Sequence, residues 1–199
     1  DAADYDRRPY HYDAVCDLLS AYIYKPKNFA DGQLNIPESK NGIADIIDEA
    51  IWGMKVWKNL QNENGAVAGW IEADSHPKQY NPHLDKQPYF LSASTRESTM
   101  QYASHASMLS LALKNAGHLN ESKEWLISAQ KAYHWAKLSL NRFSAEYYYP
   151  LNPKLKNSPL TKIIYKEPED IPSEYIFKAG FNLFLLTNEK TYLNDCLRV

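Results

Sequence analysis

Apolar residues recur at helical spacing in several stretches of this chain, and polar segments dotted with Pro and Gly separate them. In "YDAVCDLLSAYIY" the positions Val15, Leu18, Leu19, Tyr22 and Ile23 share one face, and Pro26 ends the pattern. The clearest stripe lies in "IADIIDEAIWGMKVWKNLQ": Ile43, Ile46, Ile47, Ala50, Ile51, Met54, Trp57 and Leu60 align on it. Asp45, Asp48, Glu49 and Lys55 fall largely off it, and the early acids suit the helix dipole. Trp52 also stands off the stripe, and its expected place is between helices rather than in a cleft.

A third helix is expected from about Ser98 to Asn115, where Ala103, Ser104, Ala106, Ser107, Ser110 and Ala112 permit close packing, with Gly117 as the stop. Asn120 is a candidate N-cap for a fourth, "ESKEWLISAQKAYHWAKLS", striped by Trp125, Ala129, Ala132, Tyr133 and Ala136. "SEYIFKAGFNLFLLT" and "KTYLNDC" make a fifth and a sixth. Between the second and third lies a stretch too long for a plain connection, "ENGAVAGWIEADSHPKQYNPHLDKQPYF", and a second polar stretch runs from Ser144 to Pro172. The pattern is all-α, with hairpins of helices pointing to a bundle, a solenoid or an α/α barrel. No fixed-period repeat supports a tetratricopeptide or armadillo array.

Composition narrows the function classes. With 199 residues and ordinary apolar and charged fractions, the chain can bury one sizeable core. A net charge of −2 without a basic block argues against nucleic acid, and no run of 18 apolar residues is present to span a membrane. Two cysteines, Cys16 and Cys196, make no disulfide framework; Cys16 reads as a buried free thiol, and the compartment stays open. His11, His76, His83, His105, His118 and His134 show no metal spacing, so neither metal nor cofactor is expected. The 15 Tyr and 5 Trp are the compositional anomaly, equally suited to stacking on sugar rings or to filling a helical core.

The chain opens on "DAADYDRRPYHY". This segment is similar to the Asp-Ala-Gly-Asp motif of glycoside hydrolase family 9, the inverting cellulase-type enzymes, with Ala3 in place of the Gly. "NGIADIIDEAIWGMKVWKNLQ" resembles that family's Pro-Asp-Leu-Leu-Asp-Glu helix, with Ala44 where Pro is usual. "GWIEADSHP", the Ser98–Thr99 pair, "AQKAYHWA" and "SEYIFKAGFNLFLLTNEKTYL" resemble further family segments, in order. The resemblance implies an (α/α)6 barrel, of which this chain supplies about half. Residues 1–199 are then a partial catalytic domain, truncated at both ends, that begins immediately before its first motif and lacks the family's C-terminal Glu acid.

Inverting hydrolysis needs a base to activate water and an acid to protonate the leaving oxygen, about 6.5–9.5 Å apart. Asp1 and Asp4, one turn apart in sequence, read instead as a pair holding one water, and each raises the other's proton affinity. By resemblance Asp4 is the general base and Asp1 its partner. Tyr5, Tyr10 and His11 line a subsite or pack in the core. Arg7, with Arg8, orients the carboxylates or balances Asp6 and Asp13. Glu72 and His76 hydrogen-bond sugar hydroxyls or stand on an exposed loop. Arg96, Ser98 and Thr99 serve as helix caps.

The implied function is hydrolysis of β-linked glucan or glucosamine oligosaccharides, of cellulose or chitosan type. The partners are an oligo- or polysaccharide and the remaining half of the domain. The alternative is a non-catalytic helical scaffold that binds carbohydrate or a protein.

Overall fold

The computed structural model of the chain describes residues 11–73, 84, 86, 89–138, 149–150 and 171–199. Six α-helices run through them: α1 (His11–Tyr24), α2 (Asp45–Asn59), α3 (Arg96–Asn115), α4 (Leu119–Leu138), α5 (Ser173–Thr187) and α6 (Lys190–Cys196). A single 3₁₀ turn, Pro26–Asn28, follows α1 where Pro26 was expected to end it. The expected helices are all present, in the expected order.

The α2 stripe is buried as its pattern requires, with Ile47, Ala50 and Met54 fully covered and Trp57 nearly so. Trp52 is the exception to the expected packing. It is 70% exposed, because its position on α2 faces away from both neighbouring helices. Cys16 is only half-buried, and both cysteines are free.

Small residues let α3 pack closely, as expected, and make it the central helix: Ala103, Ala106, Ser107, Ser110 and Ala112 have no exposure. Their hydroxyls stay satisfied at close range, Ser107 donating to the Ser104 carbonyl and Ser110 to the Ser122 carbonyl of α4 at 2.7 Å. Gly117, at φ +89°, ends α3, and the His118 amide closes the turn on the Leu113 carbonyl. α4 then starts at Leu119, one residue ahead of the predicted cap Asn120.

The direction of each helix follows from these contacts. Tyr12 at the start of α1 packs on Trp57 at the end of α2, and His118 after α3 bonds the Gly42 carbonyl before α2. Arg96 at the start of α3 donates to the Ala136 carbonyl near the end of α4, where cationic groups are favoured. Lys114 near the end of α3 reaches the Leu186 carbonyl near the end of α5. Thus α1, α3 and α5 run parallel, and α2 and α4 run against them. α3 packs against both α1 and α5, while α2, α4 and α6 lie on their predecessors. The second layer is stitched by Lys58–Glu124 between α2 and α4 and by Lys137–Asp195 between α4 and α6. Two alternating layers of helices are part of an α/α barrel.

One feature departs from the all-α reading without changing the class. Short strands β1 (Ile71–Ala73), β2 (Tyr89–Leu91) and β3 (Tyr149–Pro150) form an antiparallel sheet in the order β1-β2-β3. Ile71 pairs with Leu91, and Leu91 with Tyr149. Strands this short carry no period-2 signal, so the sequence read as loop there.

Candidate functional site

The antiparallel order sorts the connections onto two ends of the helices. The start of α1, the connection from α2 to α3 and the connection from α4 to α5 share one end. These two connections are the long polar ones of the sequence, and the sheet joins them, because β1 and β2 belong to the first and β3 to the second. The N-termini of α1, α3 and α5 point to this end and the C-termini of α2 and α4 lie beside them, so both free backbone amides and free carbonyls are presented there. Loops carried on a rigid scaffold are where binding residues concentrate.

The first long connection is clamped where it leaves α2. The Gln61 amide donates to the carbonyls of Gly65 and Ser128, both at 3.0 Å, and Ser128 donates back to it at 2.6 Å. Tyr102 of α3 joins this cluster through Ser128 at 2.7 Å. Further on, the Val67 amide donates to Thr99 Oγ1 and the Val67 carbonyl accepts from Ser98 Oγ. The expected capping role of Ser98 holds as half of a reciprocal box with Thr95, the actual N-cap of α3. Thr99 instead holds the connection. Ser92 Oγ accepts from the amides of Gly69 and Trp70, bracing the chain just before β1.

Of the residues expected to form the site, Asp1, Asp4, Tyr5, Arg7, Tyr10 and His76 lie outside the described residues. His11 is the first residue of α1 and Glu72 the middle residue of β1, paired with Phe90, both by backbone alone. The start of α1 and the first long connection therefore meet at one end of the helices, the arrangement a shared cleft requires.

Beneath that end sits a pair of side chains the sequence reading did not single out as a unit. Tyr12 is 2% exposed, so it is core rather than cleft wall, and it stacks on His105 of α3 with ring centroids 4.9 Å apart. The Tyr12 hydroxyl is buried without a hydrogen-bond partner among the described residues, and burial pushes its pKa well up. His105 Nδ1 donates to the Gln101 carbonyl at 2.8 Å, which fixes its tautomer. Burial holds the imidazole below its usual range, and Lys178 of α5 adds to this, against the bond to the Gln101 carbonyl, Asp13 of α1 and Glu174 of α5. No spacing signal marks a lone His in a helix of Ser and Ala.

His105 gives an expected pH dependence. Above its ordinary value of about 6.5 the ring is neutral in both folded and unfolded chains and contributes no slope. Below it the unfolded chain takes up the proton first, so stability falls with falling pH until the folded value is passed. From about pH 7.5 to about pH 5.5 the urea midpoint should therefore drop more in the wild type than in His105→Gln. Equal drops would assign the acid sensitivity to other groups.

At the opposite end, carboxylates serve the fold. Asp45 accepts from the amides of Leu34 and Gly32, and these bonds, the Leu34 amide foremost, hold its carboxyl below the usual range. Asp31 accepts from the amides of Lys40 and Gly42, both at positive φ. Asp48 accepts from Asn41 and is pushed up by burial. Among the described residues no cluster of His, Cys, Asp or Glu is arranged to hold a metal ion. No described helix is long and apolar enough to cross a membrane.

No family model matches the chain. A cellulose 1,4-beta-cellobiosidase from Acetivibrio thermocellus is 33% identical over an alignment of 105 residues, with 45% of this chain and 12% of that protein covered. Among solved structures, a metagenome-derived glycoside hydrolase family 9 endoglucanase matches at 26% identity and a TM-score of 0.73, over 92% of this chain and 31% of its own. A family 9 protein from Bacteroides ovatus has the same fold at 20% identity and a TM-score of 0.74, over 98% of this chain and 35% of its own. A thermostable endoglucanase variant from Alicyclobacillus acidocaldarius shares that fold at a TM-score of 0.69. The resemblance read from the sequence is thus borne out: the chain has the fold of glycoside hydrolase family 9 across nearly all of its length. It spans about a third of those structures and about an eighth of the curated relative.

Proposed function

We propose that this chain is part of an inverting glycoside hydrolase that cleaves β-linked glucan or glucosamine oligosaccharides. Residues 1–199 are one portion of its α/α-barrel catalytic domain, and the remaining portion is its partner. One observation carries the reading. The "DAAD" segment precedes α1 by a few residues, in a chain with the family 9 fold, and α1 starts at the end where both long connections gather.

The chemistry follows from the residue types. Asp4 takes the proton of a water as it attacks the anomeric carbon, and Asp1 accepts the water's other hydrogen, aiming its lone pair. Tyr5, Tyr10 and His11 offer ring faces to the sugar, Glu72 and His76 bond its hydroxyls, and Arg7 orients the carboxylate pair. The carboxylic acid that protonates the leaving oxygen is a Glu in the remaining portion, so the isolated 199 residues release no sugar.

The test uses the intact parent protein on cello- and chitosan-oligosaccharides, with proton NMR of the first-formed product. A new reducing end that appears as the α anomer from a β linkage supports inversion, and the oligosaccharide consumed names the substrate class. A β-anomer product overturns the mechanism. Binding of either oligosaccharide without turnover supports the scaffold alternative instead.

A further inference from the structure

The outward side of α4 carries a groove of about 610 Å³ lined by Asn64, Ile127, Gln130, Lys131, His134, Trp135 and Leu138. Its two planar polar groups are held from behind. Tyr192 of α6, 2% exposed, accepts from the Gln130 amide nitrogen at 3.2 Å, and its hydroxyl lies 3.3 Å from His134 Nε2. The arrangement in which the Tyr192 hydroxyl passes its own hydrogen on to Nε2 uses every donor of this set, and it puts the His134 hydrogen on Nδ1. Two groups are left over by this chain of bonds: the Gln130 carbonyl oxygen, an acceptor, and His134 Nδ1–H, a donor. Beside them stand the half-buried indole of Trp135 and the apolar Ile127 and Leu138.

We propose that this groove binds a pyranose unit of a neutral β-linked glucan. Adjacent equatorial hydroxyls each donate and accept, which suits one fixed acceptor beside one fixed donor. The apolar C–H face of the ring suits an indole. Prior anchoring of Gln130 and His134 to Tyr192 removes part of the ordering cost of binding. The lining also selects. Among the described residues it holds the Lys131 ammonium and no carboxylate, so a protonated glucosamine ring meets repulsion with no counter-charge from them. The choice of a β-linked glucan rests on the proposed hydrolase reading; the pyranose class rests on the lining alone.

The test is a titration of the intact parent, labelled with ¹⁵N at the tryptophan indoles, with a thio-linked cello-oligosaccharide that resists hydrolysis. The Trp135 resonance, identified by its loss in Trp135→Phe, should shift and saturate. His134→Ala, at an exposed position, and Gln130→Ala should each weaken binding at this resonance at least ~5-fold. A chitosan oligosaccharide below pH 6 and glycerol should leave it unmoved. An unmoved Trp135 signal, an equal response to glycerol, or unchanged affinity in both variants overturns the proposal. Hydrolysis enters none of these readouts, so a parent without glycosidase activity would remove that reading while a saturating Trp135 shift kept this one.

Discussion

Asp4→Asn in the intact parent protein is expected to remove nearly all hydrolysis, lowering kcat by about 10²–10⁴-fold, while oligosaccharide binding is largely kept. Asn is isosteric with Asp, so the substitution changes neither the volume nor most hydrogen bonds at the position; it strips only the charge that accepts the proton. The ground-state complex needs no proton transfer, and KM or the dissociation constant should move little. Asp1→Asn should lower turnover less, because its role is to orient a water that Asp4 still deprotonates. Steady-state rates on the oligosaccharide the parent consumes, together with calorimetric affinities, separate these effects. Binding lost in step with turnover would assign Asp4 to substrate recognition rather than to base catalysis.

Gly65→Ala is expected to cost roughly 2–5 kcal/mol of stability, read as a shift of the urea midpoint. Gly65 sits at φ +101°, where a side chain is strained, and a Cβ built there overlaps the Lys131 carbonyl and lies 3.1 Å from the Lys131 Cβ. The obstruction is the backbone of α4, which cannot turn aside as a flexible side chain would. Moving the loop instead breaks the Gln61 clamp, whose amide bonds Gly65 and Ser128 together. Gly117→Ala is the control. Its φ of +89° carries a similar strain but nothing lies within 4 Å of a Cβ, so about 1 kcal/mol is expected there. If Gly65→Ala costs no more than Gly117→Ala, the packing of the first long connection on α4 is not what holds it.

The helices were legible because their information is local. The stripe from Ile47 to Trp57 repeats at the period of a helix, and Gly117 marks a stop whatever surrounds it. What escaped is information shared between distant residues. The pairing of Leu91 with Tyr149 joins two connections separated by two helices, and neither segment contains an alternating pattern long enough to announce it. The N-cap of α3 escaped for a different reason: Thr95–Ser98 forms a capping box with Ser rather than the usual Glu or Gln in its fourth position. Trp52 and Tyr12 show the limit of reading burial from residue type. Tyr12 is covered because α2 and α3 close over the start of α1, whereas Trp52 is bare because nothing among the described residues packs on its face of α2.

The candidate site was legible only as a motif. No periodicity distinguishes Asp1 and Asp4 from an acidic surface turn; the role proposed for them rests on the ordered resemblance along the chain. The fold contributes what the motif could not, namely that the start of α1 shares an end of the helices with the two long connections.

Restoring the reaction without its base tests the central claim most directly. In an Asp4→Ala parent, azide can attack the anomeric carbon, and it needs no proton removed. Addition of azide should therefore restore cleavage and yield a glycosyl azide of inverted configuration, identified by proton NMR. Wild-type hydrolysis by Asp4→Ala in the absence of azide, or an azide product of retained configuration, would contradict the assignment of Asp4 as the base of an inverting hydrolase.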